Sequence, residues 1–171
     1  MKSTLGPGLS MPTDYQFRPA VLSDYDALGA VMFDAIHNGP TKYTAAQSDA
    51  WAPVPRSGPD WATRLAEQHI VVAEQGAEIA GFMSIEPGGY VDFAYIRPSA
   101  QGTGLFRKLF ETVLDQAHAQ GETELSTHAS LMAQPAFAAM GFEIDHHETV
   151  EVSGQSLARA RMIKRLQGET A

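Results

Sequence analysis

The stretch Val91-Asp92-Phe93-Ala94-Tyr95-Ile96-Arg97-Pro98-Ser99-Ala100-Gln101-Gly102-Thr103-Gly104-Leu105-Phe106-Arg107-Lys108-Leu109 decides the fold. An apolar, aromatic-rich run ends at a proline, a glycine-bearing turn follows, and an amphipathic run begins. This reads as strand, loop and helix. Gly102 and Gly104 let the backbone curl and expose successive amide hydrogens. The start of the helix adds partial positive charge at the same point. The turn is therefore an anion cradle suited to a pyrophosphate. Arg97, Arg107 and Lys108 stand in it without an intervening acid, so the surface around the turn is expected to be positive. The spacing excludes a Walker A loop, which needs Gly-Lys-Ser/Thr. It also excludes Gly-x-Gly-x-x-Gly, because position 107 is Arg.

Upstream of the turn, 69–74, 78–85 and 90–96 read as three strands with short connections, an antiparallel meander. Before them, Leu22, Tyr25, Leu28, Met32, Phe33 and Ile36 recur at helical steps, predicting a helix to about His37 that Asn38-Gly39-Pro40 breaks. Thr44 caps a second helix over 45–51, a third is expected over 60–68, and 15–18 is a short strand. Downstream, the helix from Gly104 runs to Ala119. A strand is expected at 124–127, a helix over 131–140 ended by Gly141, and strands at 142–152 and 157–166 joined near Ser153-Gly154. This order implies an α/β (α+β) layer around one mixed sheet.

With 171 residues and 44% apolar side chains, the chain supports one domain with one core. We expect a leader over 1–12, a single domain over 13–167 and a tail over 168–171. The 20 acids against 12 bases leave a net charge of −8, which argues against nucleic-acid binding. The absence of cysteine excludes thiolate metal sites, disulfides and thiol nucleophiles, and fits a cytoplasmic setting. No apolar run approaches the ~20 residues that span a bilayer, so no membrane partner is expected.

Strand, x-Pro, then Gln101-Gly102-Thr103-Gly104-Leu105 and a helix resembles the acyl-CoA site of the GNAT superfamily of N-acyltransferases. The resemblance extends over about residues 14–166. Tyr43-Thr44-Ala45-Ala46-Gln47-Ser48-Asp49-Ala50-Trp51-Ala52-Pro53 resembles a small bacterial subgroup of YafP type. The resemblance implies a mixed, mostly antiparallel, twisted sheet with helices on both faces. That sheet would be split in a V between the strands at 90–96 and 124–127, and acyl-CoA would enter the V. Backbone groups of Tyr95 and Ile96 would meet the pantetheine and acyl end. Amides of Gln101, Gly102, Thr103, Gly104, Leu105 and Phe106 would wrap the pyrophosphate. Three residues depart from the family pattern, one of them Ser130, where an Asn is common. Phe106 stands where Gly or Ala is usual, so its ring must point away from the pyrophosphate. Phe137 stands where a Tyr is common and has no hydroxyl to protonate a leaving thiolate.

The implied activity is acetyl-CoA-dependent acetylation of a small primary amine by direct attack in a ternary complex, by a monomer or homodimer. Acylation of a protein N-terminus or lysine is the alternative within enzymes, and a non-catalytic CoA-binding sensor is the alternative outside them. Attack requires a neutral amine, hence a proton acceptor. Asp92, a carboxylate among Val91, Phe93 and Tyr95, is the first candidate. It reads equally as a solvent-facing residue or an anchor for the substrate ammonium. Tyr90, Asp92, Ala94 and Ile96 share one face unless a bulge intervenes. His128, after the strand at 124–127, is the second candidate, with a structural role as its alternative. His37, Tyr43 and Trp51 are candidates for the acceptor pocket, or for plain packing. His146 and His147 point to opposite faces of a strand, which argues against a metal site.

Overall fold

The structure, a computed structural model, describes residues 14–166. The expected leader and tail lie outside the described residues. The elements run β1 (Gln16–Pro19), a 3-10 turn (Leu22–Asp24), α1 (Tyr25–Asn38), α2 (Ala45–Trp51), α3 (Pro59–Ala66), β2 (His69–Gln75), β3 (Glu78–Ile85) and β4 (Tyr90–Ile96). A second 3-10 turn (Pro98–Ala100), α4 (Leu105–Ala119), β5 (Glu124–Ser130), α5 (Gln134–Ala139), β6 (Glu143–Val152) and β7 (Gln155–Arg165) complete the chain. The seven strands form one sheet in the order β1-β2-β3-β4-β5-β7-β6. All neighbours are antiparallel except β4 and β5.

Each face of the sheet carries its own core. On one face α1 and α3 lay Leu28, Val31, Met32, Trp61 and Leu65 against Val72, Phe82 and Phe93. On the other, α4 and α5 lay Leu105, Leu109, Val113 and Phe137 against Val71, Met83, Val91 and Leu125. The helix starts are chemical: Gln47 N–H donates to Thr44 Oγ1 at 3.1 Å while Thr44 N–H donates to Gln47 Oε1 at 2.8 Å, a reciprocal cap on α2. Two-residue Ser153-Gly154, both with positive φ, turns β6 into β7.

Three local expectations change. The helix predicted over 131–140 begins only at Gln134, because Pro135 is tolerated in the first turn of a helix and not in its interior. Residues 131–133 form a turn instead, and β5 runs past the expected 124–127 to Ser130, which pairs with Arg159. His128 is therefore inside a strand and not after one. In β4 the register against β3 steps from Ile85↔Val91 to Met83↔Ala94, leaving one extra residue on β4. The bulge flips the alternation: Val91 packs toward α4 and Phe93 toward α1. Ala94 and Ile96 thus leave the face of Tyr90 and join the α4 side.

Candidate active site

β4 and β5 pair only through Tyr90↔Ser126 and Val91↔Thr127. Thr127 Oγ1 donates to the Val91 carbonyl at 2.9 Å and closes the last shared rung. Beyond it the two parallel strands share no further rung, and among the described residues no strand pairs with the β5-facing edge of β4 from Asp92 to Ile96. Gly89 sets this junction: its carbonyl accepts from Ser126 N–H at 3.0 Å. A cavity of about 670 Å³ fills the fork. It is reached by Asp92, Tyr95 and Ile96 from β4, by His128 and Ser130 from β5, and by Gly102, Gly104 and Phe106 from the turn.

The turn has the form its glycines predict. Gly102 and Gly104 have φ of +78° and +83°, values that side-chain-bearing residues rarely adopt. Gly104 is the N-cap of α4 and brings no side-chain cap. The amides of Gly102, Thr103 and Gly104 have no acceptor among the described residues, and those of Leu105 and Phe106 lie in the first helical turn. Thr103 Oγ1 donates to the Ala100 carbonyl at 2.6 Å and braces the turn. Gln101 departs from the expectation: its amide already donates to Pro98 O at 3.2 Å. The Phe106 ring lies edge-on to Phe137, centroids 5.2 Å apart, within the aromatic packing of Phe137 and Phe142. Arg97 is not free, since Asp34 of α1 pairs with it at 2.9 Å. The local positive charge is left to Arg107, Lys108 and the helix end.

Asp92 reaches the cavity wall, but its carboxylate is committed. Arg64 Nε and NH2 donate to it at 2.9 and 2.7 Å, and Gln68 Nε2 at 2.7 Å. Three of about four acceptor positions on a carboxylate are thereby used. His128 also faces the cavity. Tyr90 Oη lies 2.8 Å from its Nδ1 and Glu148 Oε2 lies 3.8 Å from its Nε2. Burial, and then Arg159, hold the imidazole below the ordinary histidine value, so it is neutral near pH 7. Burial and Asp92 push the Tyr90 phenol up, so it keeps its proton.

Of the three pocket candidates only Trp51 lines the cavity, 6.2 Å centroid to centroid from Tyr95. His37 is not among its lining residues; its Nε2–H donates to Ala52 O at 2.6 Å and its ring stacks near Phe33. Tyr43 is buried, and its hydroxyl donates to Ala158 O at 2.6 Å and accepts from Leu131 N–H at 3.3 Å. Neither lines the cavity: His37 Nε2 and the Tyr43 hydroxyl are taken by backbone carbonyls, and His37 Nδ1 lies 3.8 Å from Asp49 Oδ1. Sequence reasoning did not single out Tyr90, Arg64, Gln68 or Glu148. Tyr90 was accessible by its two-residue spacing from Asp92; the others come from distant elements and carry no local signal.

A sheet opened between two parallel strands, with an amide-lined turn beside the opening, is the frame of an acyl-CoA N-acyltransferase. The model of the acetyltransferase (GNAT) domain family matches residues 41–164, and the chain belongs to that family. It is 29% identical over 141 residues to the uncharacterized N-acetyltransferase YafP of Escherichia coli strain K12, covering 81% of this chain and 88% of that protein. A GCN5-related N-acetyltransferase structure from Rhodopseudomonas palustris aligns with a TM-score of 0.81 and 26% identity, over 89% of this chain and 96% of that one. The PaiA N-acetyltransferase from Thermoplasma acidophilum, solved with coenzyme A, shares the fold with a TM-score of 0.70 and 11% identity, over 90% and 99% of the chains.

Proposed function

We propose that the chain transfers an acetyl group from acetyl-CoA to a small primary amine, by direct attack while both are bound. The observation that carries this reading is one continuous cavity. It joins the unpartnered amides of Gly102 and Gly104 to the fork, where His128 stands neutral. The amides of Gly102, Thr103, Gly104, Leu105 and Phe106 would hold the pyrophosphate, and the open edge at Tyr95 and Ile96 would take the pantetheine arm. The amine would enter between Trp51, Tyr95 and His128, the last acting as proton acceptor. Asp92, held by Arg64 and Gln68, would fix the cavity wall and attract the ammonium without taking its proton. Thiol release from acetyl-CoA over a panel of primary amines, with CoA affinity by calorimetry, tests the reading. Saturable release with one or a few amines is expected.

One observation favours a second reading. Phe137 is 2% exposed, lines the cavity and has no hydroxyl to assist thiolate departure. A CoA-binding sensor would show tight CoA binding with no turnover on any amine or peptide N-terminus.

A further inference from the structure

Three phenols stand around the fork, and two are spent. Tyr43 donates to Ala158 O at 2.6 Å, and Tyr90 Oη lies 2.8 Å from His128 Nδ1. The Tyr95 hydroxyl has no partner among the described residues. Its ring is packed among Phe82, Phe93 and Trp51, at 6.1, 6.4 and 6.2 Å between centroids. Even so, Tyr95 keeps accessible surface and lines the cavity, and its oxygen is not sealed in. Burial pushes the phenol well above its usual value, so it stands as a donor that holds its proton. The ring belongs to the α1-side core, whereas Ala94, Ile96, Leu105 and Phe106 belong to the α4 side. The free donor therefore lies across the sheet from the core that carries the start of α4, on the side assigned above to the amine.

The charged groups that act on the Tyr95 oxygen are Arg56, Asp92 and Arg64. Asp92 and Arg64 cancel as a pair at 2.7 Å. Arg56 has no carboxylate within 4 Å among the described residues. Its guanidinium rests 5.7 Å from the centroid of the Trp61 ring, and its backbone packs so closely on Gly29 of α1 that no Cβ fits between them. Arg56 does not line the cavity and acts on it through its charge. Asp92 is the one carboxylate in the cavity wall, and Lys42 adds a cation there. The field at the Tyr95 hydroxyl is thus positive, and a donor in a positive field suits an oxyanion.

Resting on the reading of the fork as an amine site, we propose that the acceptor is an amino carboxylate. Its ammonium is drawn to Asp92, and its carboxylate takes the Tyr95 O–H with Arg56 as counter-charge. Ala35, Ile36 and Trp51 give the rest of the molecule an apolar wall, so its skeleton is hydrocarbon. Tyr95 keeps its proton throughout and serves as a specificity residue.

The test is thiol release from acetyl-CoA with matched probes: leucine against isopentylamine, phenylalanine against phenethylamine, and the amide of each amino acid. Rates are referred to the free-amine fraction, and CoA affinity is measured on the same preparations by calorimetry. In wild type, kcat/KM should favour each carboxylate over its matched partners by at least about tenfold. Tyr95→Phe keeps the ring and should cut that preference about tenfold, through the amino-acid KM. Arg56→Gln should cut it about threefold, more at low salt than at high, and Arg56→Lys should restore it. Equal use of matched probes, or release with the decarboxylated ones alone, overturns the carboxylate and leaves an amine acetyltransferase. A preference that survives Tyr95→Phe overturns the role of the hydroxyl. An equal fall in turnover on every probe, or weaker CoA binding, in Tyr95→Phe sets the hydroxyl against CoA and also overturns it. Tight CoA binding with no release on any probe overturns the amine reading, and the proposal with it.

Discussion

Arg64 and Asp92 meet as a fork, with Nε to Oδ2 at 2.9 Å and NH2 to Oδ1 at 2.7 Å, and the guanidinium lies 4.6 Å from the centroid of the Phe93 ring. The pair straddles a boundary: the Asp92 side chain is 5% exposed and that of Arg64 46%. It ties α3 to the bulge of β4, and so sets the wall of the fork.

Asp92→Asn should therefore act on stability and on amine KM more than on turnover. Its cost should lie between that of an exposed pair and a broken buried one, about 1–3 kcal/mol. Turnover at saturating amine should stay within about tenfold of wild type. A turnover loss of 10²–10⁴ in a stably folded variant would restore Asp92 as the base. Urea titration and saturation kinetics on the same preparation separate the two.

Gly104→Val places a β-branched residue at φ +83°, where the added Cβ meets nothing within 4 Å. The difficulty is the backbone and not space, with a strain of about 1–3 kcal/mol. The protein should fold with α4 intact but bind CoA at least about tenfold more weakly, since relief of the strain moves the amides. Calorimetry on the folded variant checks this.

The Phe137 ring packs at 5.0 Å from Phe142 and 5.2 Å from Phe106, centroid to centroid. Phe137→Ala should cost about 3–5 kcal/mol, most of it through the cavity left behind. Phe137→Tyr should stay folded and active, and should gain turnover if thiolate departure limits the rate. Denaturant midpoints and turnover numbers are the measurements.

With His128 as the proposed proton acceptor, its titration should set the acid side of the pH profile. Its folded value lies below the ordinary ~6.5, so the acid limb of kcat/KM should have its midpoint below that pH and disappear in His128→Gln. Stability follows the same sign. Between the folded and unfolded values the unfolded chain binds more protons, so stability falls as the pH drops through this window. Burial holds His69 low in the same direction.

Arg18 bridges the 3-10 turn and β2, with NH1 at 2.8 Å from Asp24 Oδ2 and NH2 at 3.0 Å from Glu74 Oε2. The guanidinium holds the Asp24 carboxyl below its usual range. The resulting stability is present above about pH 4 and is lost as the pH falls through the lowered value. Arg18→Gln should be destabilised at pH 7, with its deficit against wild type shrinking toward pH 2. Urea unfolding across that range measures it.

The element order, the cap of α2 and the glycine turn were legible in the residues. Each rests on short-range physics: periodicity, the missing Cβ of Gly102 and Gly104, the Thr44–Gln47 reciprocal cap. Even the late start of α5 was implicit in Pro135. The chemistry of the fork was not legible, because it depends on what distant elements bring to each side chain. Asp92 reads as a free carboxylate until α3 delivers Arg64 and the turn after it delivers Gln68. Arg97 reads as a free cation until α1 delivers Asp34. His37 and Tyr43 read as pocket residues until Ala52 and Ala158 offer them carbonyls. His128 gained its surroundings from β4, β6 and β7 together, and that assembly removes water that would favour the charged imidazole. Local sequence selects backbone conformation through interactions within a few residues. The protonation and partners of a polar side chain follow from desolvation and charges that only the folded chain brings within ångströms.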